Sequence, residues 1–441
     1  MATSLSKTAS LLRAEFAVFL AHPRNMRVLL LTNFLFAFAL PITDLFVAAY
    51  VMRNSQDVRL VMSYQMAVFT GIPLAFLLNG FLLRLVPIRF LYGFGMILAT
   101  ASMAYLMTLS RLGLGGVAAT GLIMGLAMGI YWANRDPLAL AATHDGSRNY
   151  YASLETFLGT LCGLVVPAAV GWFVAGTETH GWLGGDRNRA YVVLTGVVFL
   201  LACAATAMIC QGRFAKPKTA RFVYWRFDSL WRRVLGMSFF RGVGHGFGTT
   251  APMILVMRLM GGKEGLLGAM QTGGMVVMAV GIYLVGRIAR PEHRLGMLLS
   301  GLALCIAGAA GNAVFFNAAG VIAYFLLGLL GRPLIDNAVT QVHQRAIDLL
   351  ARKENRPSFA YLFNNEFSLY AGRLAGGLLF IAAASLSEEV ALRYVLLAIP
   401  VMQLGMFFFC RDVVRRCDRI EPHPASEQEP DPSPLLTPSS T

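Results

Sequence analysis

Four groups able to gain or lose a proton, Asp44, Glu155, His245 and Glu366, stand inside long apolar runs of the chain. An ionisable side chain in such a run is costly and is kept against a partner or a water-filled space. Desolvation moves a carboxyl or an imidazole away from its ordinary titration range, which suits a group that must carry a proton in step with another event. Asp44, Glu155, His245 and Glu366 are therefore the candidate proton-coupling residues, and hydration at an interface is the competing reading for the acids.

Two arginines accompany them. Arg241 and His245 are four residues apart and Glu366 and Arg373 are seven apart, so each pair shares one helix face. Gly242, Gly244, Gly246 and Gly248 leave the first of these faces open. Together with Asn33 and Gln271, these residues form a candidate lining for a central cavity that binds a polar or anionic solute. Glu155 and Glu366 hold matching places in the two halves of the chain and are expected to act as gates. Arg135 with Asp136, and Arg332 with Asp336, are expected to be links between helix ends that open and close.

The elements that must carry these residues follow from composition. Hydrophobic residues make up 56% of the 441, charged residues 14%, and the mean hydropathy is +0.61. Apolar runs of about 20 residues match a hydrocarbon core of roughly 30 Å. Backbone groups in lipid must be satisfied within the segment, so the runs are read as helices; a barrel would show short alternating strands. Twelve spans are expected at 27–51, 60–83, 88–109, 114–138, 151–175, 190–211, 234–257, 264–286, 295–317, 319–343, 359–384 and 389–410.

The domains expected are a cytoplasmic amphipathic segment 1–26, a six-helix bundle 27–211, a basic linker 212–233, a second six-helix bundle 234–411 and a disordered tail 412–441. In the first segment Leu11, Leu12, Phe16, Phe19 and Leu20 fall at helical spacing. The basic linker carries seven Lys or Arg against one Asp. With both termini in the cytoplasm, about 26 Lys or Arg fall on that side and about 8 outside, as the positive-inside rule requires. The formal charge of +14 punctuates the spans instead of forming one basic face, which argues against nucleic acid.

Cys162, Cys203, Cys210, Cys305, Cys410 and Cys417 show no metal spacing and no external pair. His343 and Asp348 have the HxxxxD spacing of some acyltransferases without the rest of such a site, and no HExxH, GxSxG or GxxxxGKS segment occurs. No enzyme, cofactor or metal site is expected.

The halves read as a duplication. Gly80, Arg84, Pro87 and Arg89 follow the second span as Gly286, Arg290, Pro291 and Arg294 follow the eighth, and Asn134 closes the fourth span as Asn337 closes the tenth. These turns, the span count and the central basic loop resemble the major facilitator superfamily of secondary transporters. The resemblance covers about residues 27–411. Where that family usually has an acid four residues after the turn glycine, this chain has Arg84 and Arg290. Gly80 and Arg89 match the family's pattern. Gly159, Gly163, Pro167 and Gly171 approximate the family's exporter pattern, with Val166 in place of a glycine.

The resemblance implies an all-α membrane protein of two pseudo-symmetric six-helix bundles, a functional monomer moving a small solute by alternating access. Protons are the favoured coupling ion because titratable groups are available, and sodium remains open. Gly80, Arg84, Arg89, Arg135, Asp136, Gly286, Arg290, Arg332 and Asp336 are the candidate gating set. The alternatives are a proton-driven exporter of amphiphilic drugs or lipids and a non-transporting membrane sensor or scaffold. The expected location is the plasma (inner) membrane, with lipid, solute and coupling ion as the partners.

Overall fold

A computed structural model describes residues 17–143, 145–214, 223–224, 226–261, 264–288 and 294–420. Among the described residues the chain is helical, without a strand. The helices are α1 (Arg24–Ser55), α2 (Val58–Leu85), α3 (Ile88–Thr108), α4 (Leu114–Ala142), α5 (Asp145–Thr179) and α6 (Arg187–Cys210). The second half has α7a (Ser229–His245), α7b (Phe247–Leu259), α8 (Glu264–Ile288), α9 (Arg294–Phe315), α10 (Ala318–Glu354), α11 (Ser358–Leu386) and α12 (Glu388–Ile420).

Ten of these are long and apolar enough to cross a membrane. The other two of the twelve expected spans are the broken α7 and α8, whose apolar part is Gly265–Ala279. α7 breaks at Gly246. A run of alternating glycines favours the break because glycine orders at greater entropic cost than alanine.

Successive helices alternate in direction. Asn25 at the start of α1 bonds Arg213 just past α6, while Asn54 at the far end of α1 bonds Asn188 at the start of α6. One side of the molecule thus carries the start of α1 and the end of α6, and the other carries the end of α1 and the start of α6.

Within the halves, glycine sets how closely helices approach, as small residues do in lipid. A methyl group on Gly71 would sit 2.6 Å from the Leu122 carbonyl, and one on Gly125 would strike the Val68 carbonyl, so α2 and α4 meet backbone to backbone. A buried Asn79–Asn134 amide pair lies along the same seam at 2.7 Å. In the second half the comparable seams are α7a with α11 at Gly242 and Gly372, and α9 with α10 at Gly301 and Gly331.

Across the halves, α5 packs on α8, where Thr272 donates to the Leu164 carbonyl at 2.8 Å. α2 packs on α11, where the hydroxyls of Thr70 and Tyr370 are 3.1 Å apart. On the far side, at the end of α1, Arg258 of α7b donates to the Gln56 carbonyl and to Glu388 of α12, each at 2.7 Å. The contacts that cross the halves, Thr272–Leu164, Thr70–Tyr370 and Arg258–Gln56, lie at the middle of the helices or toward that far side.

One boundary differs from expectation. α12 continues to Ile420, so residues 412–420 are helical where composition suggested a tail. Its last turns are amphipathic: Val413 and Cys417 are buried, and Asp412 and Asp418 pair with Arg233 and Arg345. Of the amphipathic amino-terminal segment, Leu11, Leu12 and Phe16 lie outside the described residues, and Phe19 packs on the core. Most of the basic linker, from 215 to 222, and residues 421–441 also lie outside the described residues.

Candidate functional site

A cavity of about 410 Å³ lies between the halves near the middle of the helices, within the range of small-molecule sites. The first half contributes Thr43 and Asp44 of α1, Tyr64, Gln65 and Phe69 of α2, and Met128 and Trp132 of α4. The second contributes Arg241 and His245 of α7a, Tyr324, Arg332 and Asp336 of α10, and Gln403 of α12.

Asp44 reaches the cavity through a local irregularity. Residues Ile42–Phe46 form a π-turn directly after Pro41, where the proline has no N–H to continue the α-helical ladder. Such turns add a residue to the helix and redirect its side chains. Asp44 is exposed to the cavity, and among the described residues its carboxylate has no hydrogen-bond or ion-pair partner.

The opposite wall is cationic. Arg241 donates from Nε and Nη2 to one oxygen of Asp336, at 3.1 and 2.7 Å. Arg332 donates to the Phe247 carbonyl at 3.2 Å, bracing the α7 break. His245 lines the same wall as Arg241 and Arg332, and its ring lies 6.4 Å from that of Phe69. Asp336 therefore pairs with Arg241 across helices, in the cavity, and not with Arg332 at a helix end as the sequence suggested.

The other expected lining residues separate into distinct places. Glu366 and Arg373 pair within α11 at 3.6 Å, and the buried Arg373 lies over the Phe69 ring at 4.9 Å, which joins the halves beside the cavity. Asn33 and Glu155 belong to a polar cluster inside the first half. The Asn33 amide donates to Glu155 at 2.5 Å and to the Tyr151 hydroxyl at 3.0 Å, and Tyr92 donates to Asn33 at 2.6 Å. Arg135 pairs with Glu155 at 2.9 Å, with Asp136 at 3.9 Å on its outer side. Each of Glu155 and Glu366 is thus partnered within its own half, and the two do not meet.

Gln271 lines a second space of about 360 Å³ between α7b, α8 and α10. Of the turn residues, Gly80 is buried in α2, Arg84 is exposed, and Arg89 ties α3 to the end of α6 through the Gly212 carbonyl at 2.8 Å. Gly286 lies in α8, and Arg290 lies outside the described residues.

Sequence reasoning missed Tyr324 and Gly328, although Tyr324, Gly328, Arg332 and Asp336 recur every fourth residue along one face of α10. It also missed Arg258, which sits at a helix end that composition marks as interfacial.

The structure is similar to that of a variant of the Escherichia coli fucose:proton symporter FucP, with a TM-score of 0.56 and 14% identity, covering 88% of this chain and 98% of that one. It is also similar to that of a mutant of the nucleoside transporter NupG, with a TM-score of 0.62 and 10% identity, covering 89% and 100%. In sequence, the chain is 22% identical over 399 residues to the uncharacterised protein YqgE of Bacillus subtilis (strain 168), covering 88% of this chain and 90% of that one. No family model matches. With twelve helical segments in two six-helix halves around a central cavity, the chain is an integral membrane protein with the fold of the major facilitator superfamily transporters.

Proposed function

We propose that the protein is a secondary transporter that carries a small solute through the central cavity by alternating access, with proton movement as its energy source. One observation carries this reading: the ionisable lining comes from both halves, with unpartnered Asp44 on one side and Arg241, His245, Arg332 and Asp336 on the other. A solute held there bridges the two bodies whose relative motion exposes it to either side. Asp44 takes the proton, Arg241 and Arg332 hold the solute, and Arg373 with Glu366 holds the seam next to it. The contacts across the far side describe a state closed to that side, with Arg258 as its latch.

In this reading both chain ends are cytoplasmic, the membrane is the plasma (inner) membrane, and the working unit is a monomer. The likeness to a fucose:proton symporter agrees with a proton as the coupled ion. Transport assays in vesicles of known orientation test it. Arg241→Ala and Glu366→Ala should abolish solute movement at normal membrane levels of the protein, and Asp44→Asn should uncouple solute movement from proton movement. Unchanged coupling in Asp44→Asn would remove that residue from the pathway. The sign of proton movement separates symport from export, the reading that the α5 glycine and proline pattern favours.

A further inference from the structure

The central cavity has a side chamber. The space of about 360 Å³ between α7b, α8 and α10 shares Tyr324, Gly328, Arg332 and Asp336 with the central cavity. These four residues form one stripe of α10, so the stripe borders both spaces. Beyond it the described lining is apolar, with Pro252, Met275, Met278, Phe325, Leu329 and Pro333, and Gln271 is the polar exception among the described residues. Gly328 keeps the border low: it is buried, yet a methyl group added there would meet only the Arg332 guanidinium, at 4.0 Å.

Charge and apolar surface are therefore separated along one continuous path. Among the described residues, the wall of the second half sets two guanidinium groups, Arg241 and Arg332, against one acid, Asp336, which favours an anionic group at the border. Past the α10 stripe the lining changes to methionine, leucine, phenylalanine and proline. Methionine side chains adapt to variable apolar shapes, and a polar solute alone would leave them in contact with water.

We infer that the transported solute is an amphiphilic anion, whose compact acidic head sits at Arg332 and Arg241 and whose apolar body enters the chamber between α7b, α8 and α10. This inference rests on the transporter reading and adds the class of the substrate. The proton taken by Asp44 would travel with an anion, reducing the net charge that crosses the membrane.

The test uses the full chain in nanodiscs with n-alkanoates of two to ten carbons, read by quenching of Trp132, which lines the central cavity, with Trp132→Phe as the blank. Affinity should rise about fourfold for each methylene that enters the chamber and then level off. Met278 borders the chamber and not the central cavity. Met278→Trp should move the plateau to shorter chains and Met278→Ala to longer ones, the two changes acting in opposite directions.

The same chain-length dependence in all three proteins would mean partition into lipid and would overturn the inference. So would n-alkylamines binding more tightly than the acids of equal length. If other solutes are transported with protons while no alkanoate binds, the substrate class fails and the transporter reading stands. If no solute of any class moves with protons, the failure lies in that underlying reading.

Discussion

The two halves use the same parts in opposite ways. In the first, the cation on α4 is absorbed into structure: Arg135 is bonded to Glu155, which also accepts from Asn33 and Tyr151. In the second, the cation on α7a pairs with an acid that remains half exposed to the cavity. Two glycines on α4 and α10 show the same contrast. Gly125 on α4 is pressed on the α2 backbone, whereas Gly328 on α10 opens on empty space. Asn134 is buried against Asn79, while Asn337 is exposed and accepts from Gln341 of its own helix. A closed α4 face at Gly125 and an open α10 face at Gly328 place the variable chemistry on one side of the cleft, with Asp44 facing it from the other.

The sharpest way to break this contrast is to enlarge both glycines. Gly125→Leu must push apart two backbones in contact and should cost about 3 kcal/mol or more, seen as loss of folded protein in size-exclusion profiles. Gly328→Leu should give folded protein at normal levels with an altered solute preference. Equal damage from both would mean that α10 at Gly328 is as closely packed as α4 at Gly125.

A smaller effect separates the two arginines. Arg135→Ala leaves the Glu155 carboxylate without its cation in a partly buried place and should lower stability by about 3 kcal/mol, measured by thermal unfolding. Arg241→Ala leaves Asp336 open to the cavity and should change the unfolding temperature far less while removing binding. The reverse order would exchange the structural and functional assignments.

The smallest effect concerns the entrance to the second half. Asp228 caps α7a, accepting from the Leu230 amide at 2.8 Å and from Lys353 at 2.8 Å. The Lys353 ammonium first, then the Leu230 N–H, hold its carboxyl below the usual carboxylate range. A depressed folded-state value gives stability that is present above the unfolded value of about 4 and is lost as the pH falls through the folded one. Asp228→Ala should cost about 1 kcal/mol near neutral pH. In unfolding curves the difference from the parent protein should vanish at acid pH.

How far the sequence spoke depended on the kind of question. Apolar length and loop charge marked the helices, because crossing a hydrocarbon layer imposes a length on every span. The continuation of α12 to residue 420 was hidden by its charged composition, since the pairing of Asp412 and Asp418 depends on partners 179 and 73 residues away. Arg241, His245, Asp44 and Arg332 could be found as charges in apolar surroundings. The acid that Arg241 meets could not be found in that way. Which acid an arginine meets is decided by helix rotation and by gaps of an ångström or two, so Asp336 was read with its sequence neighbour Arg332 and not with Arg241. Asn33 and Gln271 were polar residues of the expected type, and packing put each in a different compartment.

The latch on the far side has one asymmetry with a practical result. Arg258 grips a side chain on α12, yet on the first half it grips the main-chain oxygen of Gln56, a residue with left-handed backbone at φ 55°. A peptide oxygen is present whatever amino acid occupies position 56, so random mutagenesis cannot delete that acceptor. Sensitivity to substitution should collect at Arg258 and Glu388, and lineages of this protein are free to vary position 56 toward glycine or asparagine while the bolt keeps its hold.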